Sequence, residues 1–317
     1  MDSKTAETLR SAIDKIASGL TELQRYLNIQ ASPTSKKPHS STENRSDKTK
    51  AGIAQSVTAS ELPPILDHEA EEWPLAVPSH LIVPSGDNTI KQFRAVQVVG
   101  LMNMQTQGMN VLDCGCGDGY VANELSNEAQ AVVGYDIANS TTWAELATNN
   151  LTFTTSKKTV ESKGPYDILL LYDVIDHLEG ENSDSFVRWL STIMKPNGRV
   201  YARCHPWSSR HGAHLYETKN KAYLHLAMTA DELAIAGLKT GPNLKVVKPF
   251  VIYDSLFTKN GFNIETRKGQ TEIPEPYFDD AVLDRIIKVT WKGAVDRETA
   301  LRIMSIQFID YHMTKSS

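Results

Sequence analysis

The sequence predicts an α/β domain, a mostly parallel sheet with helices on both faces, preceded by a heptad helix on a flexible tether. Three observations carry this expectation. From about residue 88 onward, short and nearly continuous apolar runs alternate with helix-forming stretches, the pattern of strands buried on both faces. One such run enters Val111-Leu112-Asp113-Cys114-Gly115-Cys116-Gly117-Asp118-Gly119, a glycine loop that leads into a helix. Residues 30–60, by contrast, hold almost no large apolar side chain.

Within residues 1–29, Leu9, Ile13, Ile16, Leu20, Leu23 and Leu27 recur at steps of four and three, which forms a heptad seam on one helical face. Gly19 weakens it. Self-association, or docking on a partner helix through residues 5–28, is the expectation; packing on the chain's own domain is the alternative. Residues 30–60 are rich in Ser, Thr, Lys and Pro and cannot offset their ordering entropy by burial, so they read as a disordered linker. The globular domain spans 61–317. Pro63, Pro64, Pro74, Pro78 and Pro84 give it an extended lead-in. Ser85-Gly86-Asp87 then opens a helix over 88–103. Strands are expected at 109–114, 131–136, 151–155, 166–172 and 199–204. Helices are expected at 120–127, 141–149 and 183–194. Inserts occupy about 205–245 and 273–304, the second with helical spacing of Phe278, Val282, Leu283, Ile286 and Ile287.

The 317 residues are 40% hydrophobic and 22% charged, as in ordinary globular proteins. A net charge of −5 offers no global basic field, which weighs against non-specific nucleic-acid binding. The three cysteines, Cys114, Cys116 and Cys204, make no disulfide framework and suit a reduced compartment. Cys114-x-Cys116 is too tight for a zinc pair and has no second pair to join, so no metal is expected. No apolar run is long enough to cross a bilayer, and Met1-Asp2-Ser3-Lys4 lacks the apolar core of a secretory signal. A cytoplasmic location without membrane contact is the expectation.

Glycines at 115, 117 and 119 let a ligand approach the backbone closely. The helix behind them offers free N–H groups and a positive dipole end. Alone, this loop fits a dinucleotide dehydrogenase equally well. Three features narrow it. Asp113 ends the first strand, before the glycines. Asp136 ends the second, Val132-Val133-Gly134-Tyr135-Asp136, where it can accept hydrogen bonds from both hydroxyls of a ribose. The fourth strand, Tyr166 to Tyr172, leads into Asp173-Val174-Ile175-Asp176-His177-Leu178.

This ordered set resembles the class I, Rossmann-like S-adenosylmethionine-dependent methyltransferases. Lys195-Pro196-Asn197-Gly198-Arg199-Val200 resembles the family's turn into its fifth strand. Leu256-Phe257 through Gly261-Phe262-Asn263-Ile264-Glu265 resembles its last helix and sixth strand. Ser305-Ile306-Gln307-Phe308-Ile309-Asp310-Tyr311-His312 resembles its antiparallel seventh strand. The resemblance covers residues 88–313 and implies a seven-stranded sheet with S-adenosylmethionine as cofactor. It implies that Asp113 and the backbone of Cys114, Gly115, Gly117 and Gly119 surround the methionine portion. It implies that Asp136 binds the ribose, that Tyr135 or Ile137 packs near the adenine, and that Asp173 lies beside the amino-acid part or the transferred methyl. One departure stands out: after the third strand, where the family often has an acid, this chain has Ser156-Lys157-Lys158.

The stretch from Arg203 to Tyr216 follows the fifth strand and is expected to project over the methyl end. His205 is its candidate base, Arg210 its candidate partner for a carboxylate or phosphate, and His211 and His214 further acceptor contacts. A polar loop with locally satisfied histidines is the plainer alternative, and a metal on His205, His211 and His214 a lesser one. His177 is expected to serve packing or orientation. DNA enzymes of this family carry an Asp/Asn-Pro-Pro-aromatic block or a Pro-Cys nucleophile, and neither occurs here. Small-molecule or protein methylation is favoured, and RNA stays open. The alternative function is a non-catalytic structural or assembly protein that keeps this fold and docks through its N-terminal helix.

Overall fold

The computed structural model describes Ala76 and residues 88–178, 180–210, 212, 215, 219–238, 249–271 and 280–317. The heptad helix and the tether lie outside the described residues. In chain order the elements are α1 (Asn88–Met102), β1 (Asn110–Cys114), α2 (Tyr120–Leu125), β2 (Ala131–Tyr135), α3 (Trp143–Leu146), β3 (Leu151–Thr154), α4 (Lys157–Lys163) and β4 (Tyr166–Tyr172). A 3-10 turn (Ile175–His177) follows, then α5 (Gly180–Thr192), β5 (Met194–Cys204), α6 (Leu224–Ala227), α7 (Ala230–Ile235) and α8 (Phe250–Lys259). The chain closes with β6 (Phe262–Thr271), α9 (Asp280–Trp291), α10 (Arg297–Ser305) and β7 (Ile306–Lys315).

The seven strands form one sheet in the order β3-β2-β1-β4-β5-β7-β6. The first five run parallel, and β7 lies antiparallel between β5 and β6. From β1 the chain steps outward to β3, then crosses back to β4 on the other side of β1. Strand order therefore reverses between β1 and β4, which is where an open α/β sheet leaves its ligand crevice.

The centre of the sheet explains its stability. Ile168, Leu169, Leu170 and Leu171 are all buried, because alternate side chains enter opposite cores. Leu169 and Leu171 join Leu112, Val200, Phe257 and Tyr311 on one face. Ile168 and Leu170 join Val111, Leu125, Met102 and Tyr201 on the other. Each such side chain contributes roughly 1.5–3 kcal/mol of burial free energy.

The strands and helices expected from the sequence appear, with β5 and β6 longer than read and α3 shorter. The two inserts do not stand apart. Tyr223, Leu224, Leu226 and Leu233 from the first pack with Leu283, Ile286, Ile287, Ala300 and Met304 from the second in one apolar cluster. The Thr290 hydroxyl donates to the Leu226 carbonyl at 2.9 Å, and the Tyr223 hydroxyl to that of Met304 at 2.9 Å. A capping box of Thr229 and Glu232 starts α7. The inserts thus make one helical annex beside the sheet. Among the described residues, no helix is long and apolar enough to cross a membrane.

Candidate cofactor and acceptor site

The glycine loop is built against its neighbours. The N–H groups of Gly115 and Cys116 both donate to the Tyr135 carbonyl, at 2.7 and 3.0 Å, which ties the end of β1 to the end of β2. Gly115 has φ 85°, and a Cβ there would lie 2.3 Å from a methyl of Val174, just past β4. Only glycine lets the loop lie that close to the β4 exit. At Gly119, with φ 86°, a Cβ would meet the Phe153 ring at 2.6 Å. Gly117 has φ 51° and open space where a Cβ would go. The Trp143 indole donates to the Gly117 carbonyl at 2.8 Å and stacks on Phe153, with centroids 5.2 Å apart.

Two acids flank the loop. Asp113 is buried, and its Oδ2 has no hydrogen-bond partner. Burial, reinforced by the charge of Asp136, pushes its carboxyl up to about 7, against a hydrogen bond from the Ala122 backbone. Buried polar atoms rarely stay unsatisfied, so this oxygen fits a ligand that brings a donor. Asp136 accepts the Gly117 N–H at 2.9 Å and the Ala138 N–H at 3.2 Å. Its carboxylate therefore stands over the loop. A cofactor with an ammonium group and vicinal hydroxyls suits this donor-poor, acid-lined loop.

Past β4 the chain turns sharply. Asp173 takes φ 54°, a left-handed conformation that costs a non-glycine residue energy, and its N–H donates to the Arg203 carbonyl at 3.1 Å. Asp176 is buried on the 3-10 turn, and its Oδ2 accepts the His205 N–H at 3.2 Å. The His205 ring is buried against Phe308, its Nδ1 lies 3.2 Å from the Gln307 carbonyl, and its own carbonyl accepts from Tyr253 at 3.1 Å. Burial raises the carboxyl of Asp173 to about 6, against the charges of Arg203, Arg94 and His177. Burial and then the Asp173 charge raise that of Asp176. Burial lowers the imidazole of His205. Arg203 itself is engaged by Asp310 through two bonds of 2.6 and 2.8 Å.

The sequence-derived residues thus separate into two groups. Asp113, Cys114, Gly115, Gly117, Gly119 and Asp136 gather around one loop, and Val174 joins this loop to Asp173. Ile137 follows Asp136 with 89% exposure, whereas Tyr135 is core and faces Trp189 at 5.8 Å. Of the two adenine candidates, only Ile137 is exposed. Ser156-Lys157-Lys158 turns out to start α4: the Ser156 hydroxyl caps it, and the Lys157 ammonium sits 4.7 Å from the Trp189 ring. His177 is exposed on the 3-10 turn. Arg210 is anchored by its backbone, with its N–H on Gln307 at 3.0 Å and its carbonyl on Tyr223 at 2.8 Å. His211 and His214 lie outside the described residues. Asp176 and Trp143 are site residues that the sequence reading did not single out. Asp176 lies three residues after Asp173 in the sequence, and nothing in that spacing marks it as buried.

Part of the chain is similar to known methyltransferases. Residues 86–236 match the model of a methyltransferase domain family. A ubiquinone biosynthesis O-methyltransferase of Colwellia psychrerythraea is 27% identical over 133 residues, 39% of this chain and 53% of the relative. One of Rickettsia bellii is 30% identical over 169 residues, 51% of this chain and 64% of the relative. The chain thus spans between half and two thirds of these relatives' lengths. The solved structure of an S-adenosylmethionine-dependent methyltransferase from Archaeoglobus fulgidus is 16% identical, with 73% of this chain and 95% of that one covered and a TM-score of 0.45.

Proposed function

We propose that this chain, whose residues 86–236 match a methyltransferase domain family, is a class I S-adenosylmethionine-dependent methyltransferase that transfers a methyl group to an oxygen atom of a small-molecule acceptor. The observation that carries the reading is the loop itself: a buried Asp113 oxygen without a donor, beside glycines braced against Val174 and Phe153. Oxygen as the methylated atom is supported by the names of the two relatives, both O-methyltransferases.

Bound at this loop, S-adenosylmethionine supplies a methyl group carried on positively charged sulfur. Asp113 and the backbone of Cys114, Gly115, Gly117 and Gly119 hold its methionine portion, Asp136 its ribose, and exposed Ile137 the edge of its adenine. Asp173 marks the methyl end, at the carboxyl edge of β4. An acceptor hydroxyl must lose its proton for oxygen to attack, and a base within reach provides for this. His205 is suited to it: Nδ1–H directed at the Gln307 carbonyl leaves Nε2 unprotonated, and burial keeps the ring neutral. Arg210, followed in sequence by His211 and His214, supplies charge for a carboxylate-bearing acceptor.

Transfer from methyl-labelled S-adenosylmethionine to matched panels of phenols, carboxylates and aryl amines tests this. Label is expected in the hydroxylated compounds. Label confined to the amines would overturn oxygen as the acceptor atom, and none in any panel would speak against small-molecule transfer.

A further inference from the structure

The edge assigned to the acceptor holds a cluster that a base alone does not explain. One carboxylate oxygen from Asp173, one from Asp176 and one ring nitrogen of His205 all lie within 4.8 Å of one another. His205 Nε2 is 3.9 Å from Asp173 Oδ1 and 4.0 Å from Asp176 Oδ2. These gaps exceed a hydrogen bond. They match an ion shared at about 2.0–2.2 Å from each ligand after shifts of a few tenths of an ångström.

The polarity of the three groups points the same way. A carbonyl can only accept, so the 3.2 Å contact to Gln307 puts the His205 proton on Nδ1. Nε2 then presents a lone pair to two carboxylates, and the carbonyl beyond the ring completes the support that metal-bound histidines commonly have. Asp173 Oδ1 and Asp176 Oδ1 are both buried without a hydrogen-bond partner. The Arg203 guanidinium is held by Asp310 through two hydrogen bonds. The buried carboxylate of Asp176 and the half-buried one of Asp173, facing a lone pair, are costly unless something positive sits among them.

We propose that Asp173, Asp176 and His205 bind one divalent cation of the Mn2+ or Zn2+ class, with open coordination positions toward the acceptor. Two carboxylates with one imidazole suit such borderline ions. The site departs from the sequence expectation of no metal, and from the His205, His211 and His214 grouping, since its ligands come from the exits of β4 and β5. Its role toward the acceptor rests on the proposed function: a cation there lowers the pKa of a bound hydroxyl, and His205 serves as its ligand rather than as a free base.

Metal-stripped full-length protein is titrated with Mn2+ and followed by electron paramagnetic resonance. S-adenosylmethionine binding is measured by calorimetry on the same sample. Saturable binding of one Mn2+ per chain is expected, weakened about tenfold or more in both Asp173→Asn and His205→Gln. Thermal melts report whether each variant is folded. No saturable Mn2+ or Zn2+ binding by protein that binds the cofactor would overturn the site and leave a shared proton as its occupant. Equal affinity in the folded variants would overturn it too. Cation binding without cofactor binding would support the site while counting against the proposed function.

Discussion

Asp113 and Gly115 both bear on the stability of the cofactor-free protein, the acid against it and the glycine for it. The carboxyl of Asp113 rises from an ordinary 3.8 to about 7, chiefly through burial, with the charge of Asp136 adding to it. Between those values the folded chain holds a proton that the unfolded chain has lost. Folded stability therefore falls as pH rises from about 4 to about 7. Asp113→Asn cannot ionise, so denaturant melts at about pH 5 and about pH 7 should show a smaller loss than in the parent; equal losses would remove Asp113 as the cause. Gly115→Ala forces a side chain into a left-handed conformation and against Val174. We expect it to cost about 1–3 kcal/mol in the same melts. Val174→Ala should restore only part, since the backbone strain remains.

The helical annex joins two stretches far apart in sequence, and this shows which elements a sequence can reveal. Both-face burial writes itself as unbroken apolar runs, so β1, β2 and β4 were legible from composition alone. Asp113 and Asp136 were legible because each ends such a run. Asp176 and His205 were not legible as a pair, because only the pairing of β4 with β5 brings them together. Helical spacing in the second insert announced an apolar face, but not that Tyr223 and Leu226 of the first insert would cover it. Ser156-Lys157-Lys158 looked like a departure in the cofactor site, and Ser156 proves to be a helix cap. Ile286 lies fully buried in the annex. Ile286→Ala should cost about 2–5 kcal/mol in melts while leaving cofactor affinity unchanged. A matching loss of cofactor affinity would mean that the annex supports the loop as well.

At the scale of the whole molecule, the heptad seam of residues 1–29 precedes in the sequence the part of the chain that builds the sheet. Deleting residues 1–60 should leave a folded, cofactor-binding domain of lower oligomeric state by light scattering. An unchanged number of subunits per particle would rule out self-association through the seam. The competing identity, an assembly protein that keeps the fold without the chemistry, differs most at the loop between β1 and β2. Calorimetric titration of S-adenosylhomocysteine into the full-length parent and into Asp136→Ala probes that loop directly. Saturable binding by the parent is predicted, with the variant weaker by about tenfold to a hundredfold, the worth of a charge-assisted hydrogen bond. No binding by the parent, or equal binding by the variant, would contradict a cofactor held between Asp113 and Asp136.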